Sequence, residues 1–180
     1  MLQKYNIAFI PSSNLEQFIQ YAKELSQAAS SDKYLLGAES IPHVSLCHFE
    51  IASNKIEEVW GMVSALELPQ LHLTFREKRS KSHTNHLKWG DICWVSLIPD
   101  HIERLTEIHF EIAKIIKKPL NTAFSKYDPH LTLFNSHAEA SCALLNHVPQ
   151  VDPPLEEKFN VALGLIDDVG QVTKILFYNN

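Results

Sequence analysis

No stretch of the 180-residue chain approaches the unbroken apolar length that a membrane-crossing helix needs, and the apolar run near its start is too short for a signal peptide. A soluble, cytoplasmic protein is expected. Cysteine is scarce: Cys47, Cys93 and Cys142 are odd in number, widely spaced and free of any C-x-x-C pattern. That argues against a disulfide framework or a cysteine zinc site and suits a reducing compartment. Nor is there an excess of positive charge. A net charge of -5 speaks against broad capture of duplex DNA, whose binding is mostly phosphate neutralisation, but leaves room for one small phosphate held at one site. No membrane partner is expected, and the chain is read as a monomer.

What is present is a duplicated order of elements. "YNIAFI" (5 to 10) reads as a buried strand closed by Pro11 and the Ser12-Ser13-Asn14 cap cluster, and Leu15, Phe18, Ile19, Ala22 and Leu25 give the next helix one apolar face. "PHVSL", a helix over 54 to 66 and a strand at 71 to 75 follow. The second half repeats this: a strand at 91 to 99, a helix at 100 to 118, "PHLTL" at 129 to 133, a short helix near 137 to 147 and a strand at 159 to 166. Pro11 and Pro99 lie 88 residues apart, and His43 and His130 lie 87 apart. One domain over 1 to 180 is therefore expected, α+β and bilobal. Its duplicated lobes, near 5 to 76 and 92 to 166, are related by a pseudo-two-fold; antiparallel sheets form a central cleft and helices pack outside. A last strand at 174 to 179 pairs with 159 to 166 across the Asp168-Val169-Gly170-Gln171 turn.

Both halves contain Pro-His-x-[Ser/Thr]-Leu. At this composition, random placement would produce two such matches in roughly one sequence in tens of thousands. In a strand His43 and Ser45 share one face and Val44 and Leu46 the other; His130 and Thr132 share a face likewise, opposite Leu131 and Leu133. The apolar pairs can anchor the strands, leaving two imidazoles and two hydroxyls to converge on one cleft. One neutral imidazole can take a proton from an attacking group while an imidazolium gives one to a leaving oxygen, and the hydroxyls can donate to non-bridging phosphate oxygens.

With these paired motifs, the chain resembles the 2H phosphoesterase superfamily, which includes 2'-5' RNA ligase-like proteins and 2',3'-cyclic phosphodiesterases. The resemblance extends to the opening strand and helix, the "ICWVSL" strand, the lead-in Tyr127-Asp128-Pro129 and the closing strands. It implies that His43 and His130 are the catalytic pair, that Ser45 and Thr132 bind phosphate, and that a 2',3'-cyclic phosphate or related RNA-end or nucleotide phosphodiester is opened without metal or cofactor, leaving a 2'-phosphate. Many 2'-5' RNA ligase-like members carry an arginine where this chain has Asn135; Arg76, Arg79, Lys81 or Lys126 could supply the replacement charge, and the sequence alone does not choose among them. Tyr127 is the candidate for stacking a base. Two other functions fit the same fold: a module that binds RNA ends or nucleotides without turnover, and joining of 2'-5' RNA ends.

Other features receive plainer readings. The basic stretch 76 to 88 is expected to be a solvated hairpin or inter-lobe loop before it is a phosphate-contacting flap. His72 belongs to the polar face of an ordinary strand, Trp94 and Phe134 to core or rim packing, and His48 to the surface unless a bulge turns it. His83 and His86, three apart, are a weak metal pair.

Overall fold

The computed structural model describes residues 1–29, 34–37, 40–86, 88, 90–117, 119–120, 127–137 and 150–179. The helix expected near 137 to 147, together with Lys126 and Trp89, lies outside the described residues. The chain runs β1 (Leu2–Pro11), α1 (Leu15–Ala29), β2 (Val44–Ala52), a 3-10 turn, α2 (Ile56–Ser64), β3 (Leu71–His86) and β4 (Gly90–Pro99). It continues through α3 (Ile102–Ile116), β5 (Leu131–Ser136), β6 (Gln150–Ile166) and β7 (Val172–Tyr178). No described helix is long and apolar enough to cross a membrane.

Local chemistry accounts for the helices. Asn14 Oδ1 accepts from Gln17 N at 3.3 Å and caps α1. Phe18 then reaches Phe75 and Phe159 with its ring edge, at centroid distances of 5.5 and 5.8 Å. Leu105, Ile108, Ile112 and Ala113 form the buried stripe of α3, whereas Ile102, also of that periodicity, is exposed at the first turn.

The strands form an antiparallel sheet in the order β2-β1-β6-β3-β4-β5, with β7 added beside β6. Two long strands join the halves. β6 pairs its first part with β3, from Leu71↔Phe159 to Glu77↔Gln150, and its last part with β1 and β7. β3 continues beyond β6 and pairs with β4 from Phe75 to His86. Of the two plain readings of the basic stretch, hairpin or inter-lobe loop, the structure shows the hairpin: 76 to 86 is strand paired with β4. Its period of two lies in polar residues: Arg79, Lys81 and His83 face the cleft, while Lys78 turns the other way and donates to Gln150 O at 2.8 Å.

Each half carries a β-bulge at the same place. Ala8 pairs with Ser45 and Ile7 with Cys47, which leaves Leu46 extra; Ser96 pairs with Thr132 and Val95 with Phe134, which leaves Leu133 extra. Both extra leucines are fully buried. The halves brace each other's bulge: His109 Nδ1, on α3, donates to Leu46 O at 2.7 Å, and Leu36 N donates to Leu133 O at 2.8 Å. Tyr127 Oη adds a bond to Ser45 O at 2.8 Å, with its ring stacked on His109 at 4.2 Å.

The cysteines depart from expectation. Cys47 is a buried free thiol, but Cys93 is disulfide-bonded. Spacing along the chain carries no information about which cysteines the fold brings together, so a framework argument from spacing misses a single bridge.

Candidate active site

Proline explains how each motif histidine is set. Pro42 and Pro129 have fixed φ and no N–H, and they hold Ile41 and Asp128 extended, presenting the carbonyl two residues before the ring. His43 Nδ1 donates to Ile41 O at 2.7 Å, and His130 Nδ1 donates to Asp128 O, also at 2.7 Å. A carbonyl can only accept, so Nδ1 carries the proton in both rings and each Nε2 keeps a lone pair. Both side chains line one cleft of about 350 Å³ together with Ser45 and Thr132. That is the size of a small-ligand site.

The β3–β4 hairpin forms one wall with Arg79, Lys81, His83, His86, Trp94 and Ser96; the turn from β6 to β7 supplies Val169, Gly170 and Gln171 opposite. Arg79 and Lys81 both turn toward Asp128: Arg79 Nη2 lies 2.7 Å from Oδ2 and Lys81 Nζ lies 3.6 Å from it. Arg76, the extra residue of the bulge between Phe75 and Glu77, is exposed and does not line the cleft. Tyr127 lines the cleft, yet its ring lies against His109 and its hydroxyl is spent on Ser45 O. Its observed task is to hold the β2 bulge. Trp94 also borders the cleft, packed on Tyr34 at 5.6 Å, while Phe134 belongs to the core.

Burial dominates the electrostatics. It lowers His43 to about 4, against the bond from Ile41, and the His130 charge adds to the fall. His130 is likewise lowered, chiefly by burial, while the Asp128 carboxylate and carbonyl pull it up. Burial pushes Asp128 up as well, but the bond and charge of Arg79, with His130 and Lys81, outweigh it and hold the carboxyl below its ordinary value.

His48 is the residue the sequence reading misplaces. Because Leu46 is extra, alternation resumes one residue late and His48 turns onto the cleft side, buried at 9% exposure rather than on the surface. Its Nε2 lies 3.0 Å from Ser45 Oγ. The signal that would have found it is the bulge, which leaves no mark in composition or period. The residue 87 positions later is Asn135, also fully buried, whose Oδ1 accepts from Tyr34 N at 2.9 Å. His72, by contrast, sits exposed on β3 beside Glu156. Among the described residues, no three of His, Cys, Asp and Glu lie close enough together to hold a metal ion.

No protein-family model and no curated protein matches the chain. Solved structures do. E. coli LigT complexed with 3'-AMP superposes with a TM-score of 0.69 at 13% identity, covering 100% of this chain and 97% of that one. E. coli LigT complexed with ATP gives 0.66 at 15% identity, over 99% and 98% of the two chains, and a phosphoesterase gives 0.62 at 12%, over 99% and 98%. The whole described architecture is thus shared with these proteins, at identities where the likeness is one of fold.

Proposed function

We propose that this cleft opens a 2',3'-cyclic phosphate at a nucleotide or RNA end, with His43 and His130 as the acid-base pair, and leaves a 2'-phosphate. The observation that carries the reading is the matched pair of histidines, each with Nδ1 tied to the carbonyl two residues back and Nε2 left to the cleft, and each with a hydroxyl two residues on. One imidazole takes a proton from water as its oxygen attacks phosphorus; the P–O3' bond breaks, and the other ring, as imidazolium, gives its proton to O3'. The attacking oxygen becomes a phosphate oxygen, so the product is the 2'-monoester. Ser45 and Thr132 donate to the non-bridging oxygens, where negative charge gathers in the transition state. The nucleotides bound in the LigT structures support the ligand class.

The test is turnover of 2',3'-cyclic AMP by EDTA-treated protein, with the product isomer identified by phosphorus NMR. Formation of 2'-AMP is expected. Binding of 2'-AMP without turnover of any cyclic nucleotide would instead make the chain a binding module.

Arg79 and Lys81 are the cations that serve in place of a charge at Asn135. Asp128 holds both cations at the cleft wall, so a phosphate takes over donors already in position. Arg79→Met is expected to raise KM for 2',3'-cyclic AMP about tenfold or more, the worth of a charge-assisted hydrogen bond. Arg76→Met leaves KM within about twofold, because a charge exposed outside the cleft is screened by water. Equal effects of the two substitutions would remove Arg79 from the site.

A further inference from the structure

Three polar groups meet at the floor of the cleft: the buried Asn6 amide, the half-buried Ser45 hydroxyl and the buried His48 imidazole. Asn6 Nδ2 donates to Ser45 Oγ at 2.8 Å, and His48 Nε2 lies 3.0 Å from the same oxygen. We propose that His48 is a positioning residue that, with Asn6, makes Ser45 a one-way donor: both neighbours donate to Oγ, and the hydroxyl proton is left to point at a bound anion. The proposal rests on reading the cleft as a phosphate site.

The atoms left over decide the direction of the bonds. Asn6 Oδ1 and His48 Nδ1 are buried and have no hydrogen-bond partner among the described residues. If Ser45 donated to His48, Nε2 would accept and Nδ1 would carry the proton, leaving a bare N–H in the interior. Bare buried N–H groups are much rarer in folded proteins than under-used acceptors. If Nε2 carries the proton instead, both leftover atoms are acceptors. That arrangement is the cheaper one. The β6–β7 turn closes on the ring, where Nδ1 is buried: a Cβ on Gly170 would stand 2.7 Å from His48 Cε1 and 3.1 Å from Nδ1. Gly170, at φ +93°, is what lets the turn approach so closely.

A hydroxyl has one proton and two lone pairs. With both lone pairs occupied, the Ser45 proton takes the remaining tetrahedral direction, and Ser45 lines the cleft. Burial, then the charges of His43 and His130, lower His48 to about 4, so the ring is neutral near pH 7 and holds a single tautomer. The second half lacks this device. At the positions matching Asn6 and His48 stand Trp94 and Asn135, and Asn135 Oδ1 is turned to Tyr34 N. The two hydroxyl grips are therefore unequal: Ser45 is committed to an oxygen that accepts, and Thr132 is not committed by its neighbours in that way.

Long-range proton-nitrogen NMR of the histidine rings tests the bond direction without any need for activity. His48 is expected as the Nε2–H tautomer, opposite to His43 and His130, which carry Nδ1–H; an Nδ1–H signal for His48 overturns the proposal. Kinetics on 2',3'-cyclic AMP supply the second test. His48→Leu is expected to lower kcat/KM about tenfold, the worth of one well-aimed donor to a charged oxygen, and His48→Gln, whose amide can donate from the place of Nε2, restores most of it. In a Ser45→Ala background His48→Leu has no further effect; full additivity would show that His48 acts independently of Ser45 and sink the idea. Absence of turnover in the unaltered protein would count against the hydrolytic reading alone, and the tautomer would still decide this one.

Discussion

Replacing His43 or His130 by asparagine is expected to lower kcat on 2',3'-cyclic AMP by about 10³-fold, within the range that loss of one acid-base group costs. Asparagine is the informative choice. Its Nδ2 can reproduce the bond that the ring Nδ1 makes to Ile41 O or Asp128 O, each 2.7 Å long, while the catalytic Nε2 disappears. Folding is thereby separated from chemistry. Since base and acid act across one displacement, the double variant is expected to be little slower than either single variant, as happens when residues act as a unit. Turnover within about fivefold of the unaltered protein in both single variants would remove the pair from catalysis, because no acid-base role is worth so little.

The same geometry fixes the shape of the pH dependence. In the kcat/KM profile the acid limb follows protonation of the base and the alkaline limb follows loss of the acid's proton, both in the empty cleft. Burial holds His43 at about 4 and His130 below its ordinary value, so the maximum of kcat/KM is expected below pH 6.5. A bound phosphodiester anion raises both imidazoles, and the kcat profile is displaced toward higher pH. Coincident profiles would mean that the substrate charge does not reach the rings.

The duplication was legible in the sequence because it is written in residues with strong local rules. Proline before histidine, a hydroxyl two positions on and flanking apolar residues specify strand, face and ring orientation together. The α+β architecture, the three described helices and the place of His43, Ser45, His130 and Thr132 in one cleft followed from that pattern. The misplaced features share a cause, which is that none has a periodic signature. Leu46 and Leu133 look like ordinary alternating residues, and only strand pairing shows them to be extra, so His48 was put on the wrong face. The hairpin at 76 to 86 was among the readings its charges allowed, but that one of its faces lines the cleft was not legible, because its period of two lies in polar side chains throughout. Arg79 was one of several cations near the joint. Its selection depends on Asp128, 49 residues away, which no local pattern around residue 79 announces.

Acid is expected to unfold this protein more readily than its carboxylates alone require. His43 and His48 are both lowered to about 4 in the folded chain, whereas an unfolded histidine titrates at its ordinary 6.5. Below pH 6.5 the unfolded state therefore binds protons that the folded state refuses, and stability falls as pH falls. The stability is fully present above 6.5, declines between 6.5 and 4, and gains no further loss from these two groups below 4. Each histidine alone accounts for about 3 kcal/mol across that interval; the two repel each other when charged, so together they cost several kcal/mol rather than a simple sum. Against a typical total of about 5–15 kcal/mol, that is enough to bring the transition into reach. Urea unfolding at pH 7.5, 6.5, 5.5 and 4.5 should show a midpoint that holds between the first two and drops through the last two. His43→Asn should flatten that slope and leave the variant more stable than the unaltered chain at pH 4.5. An unchanged slope would mean that His43 is not held neutral by burial. Inorganic phosphate should recover more stability at pH 5 than at pH 7.5, because an anion in the cleft stabilises the charged rings that burial alone disfavours. The destabilisation by acid and the grip on a phosphate anion thus share an origin at His43, an imidazole placed out of water whose protonation a bound negative charge favours.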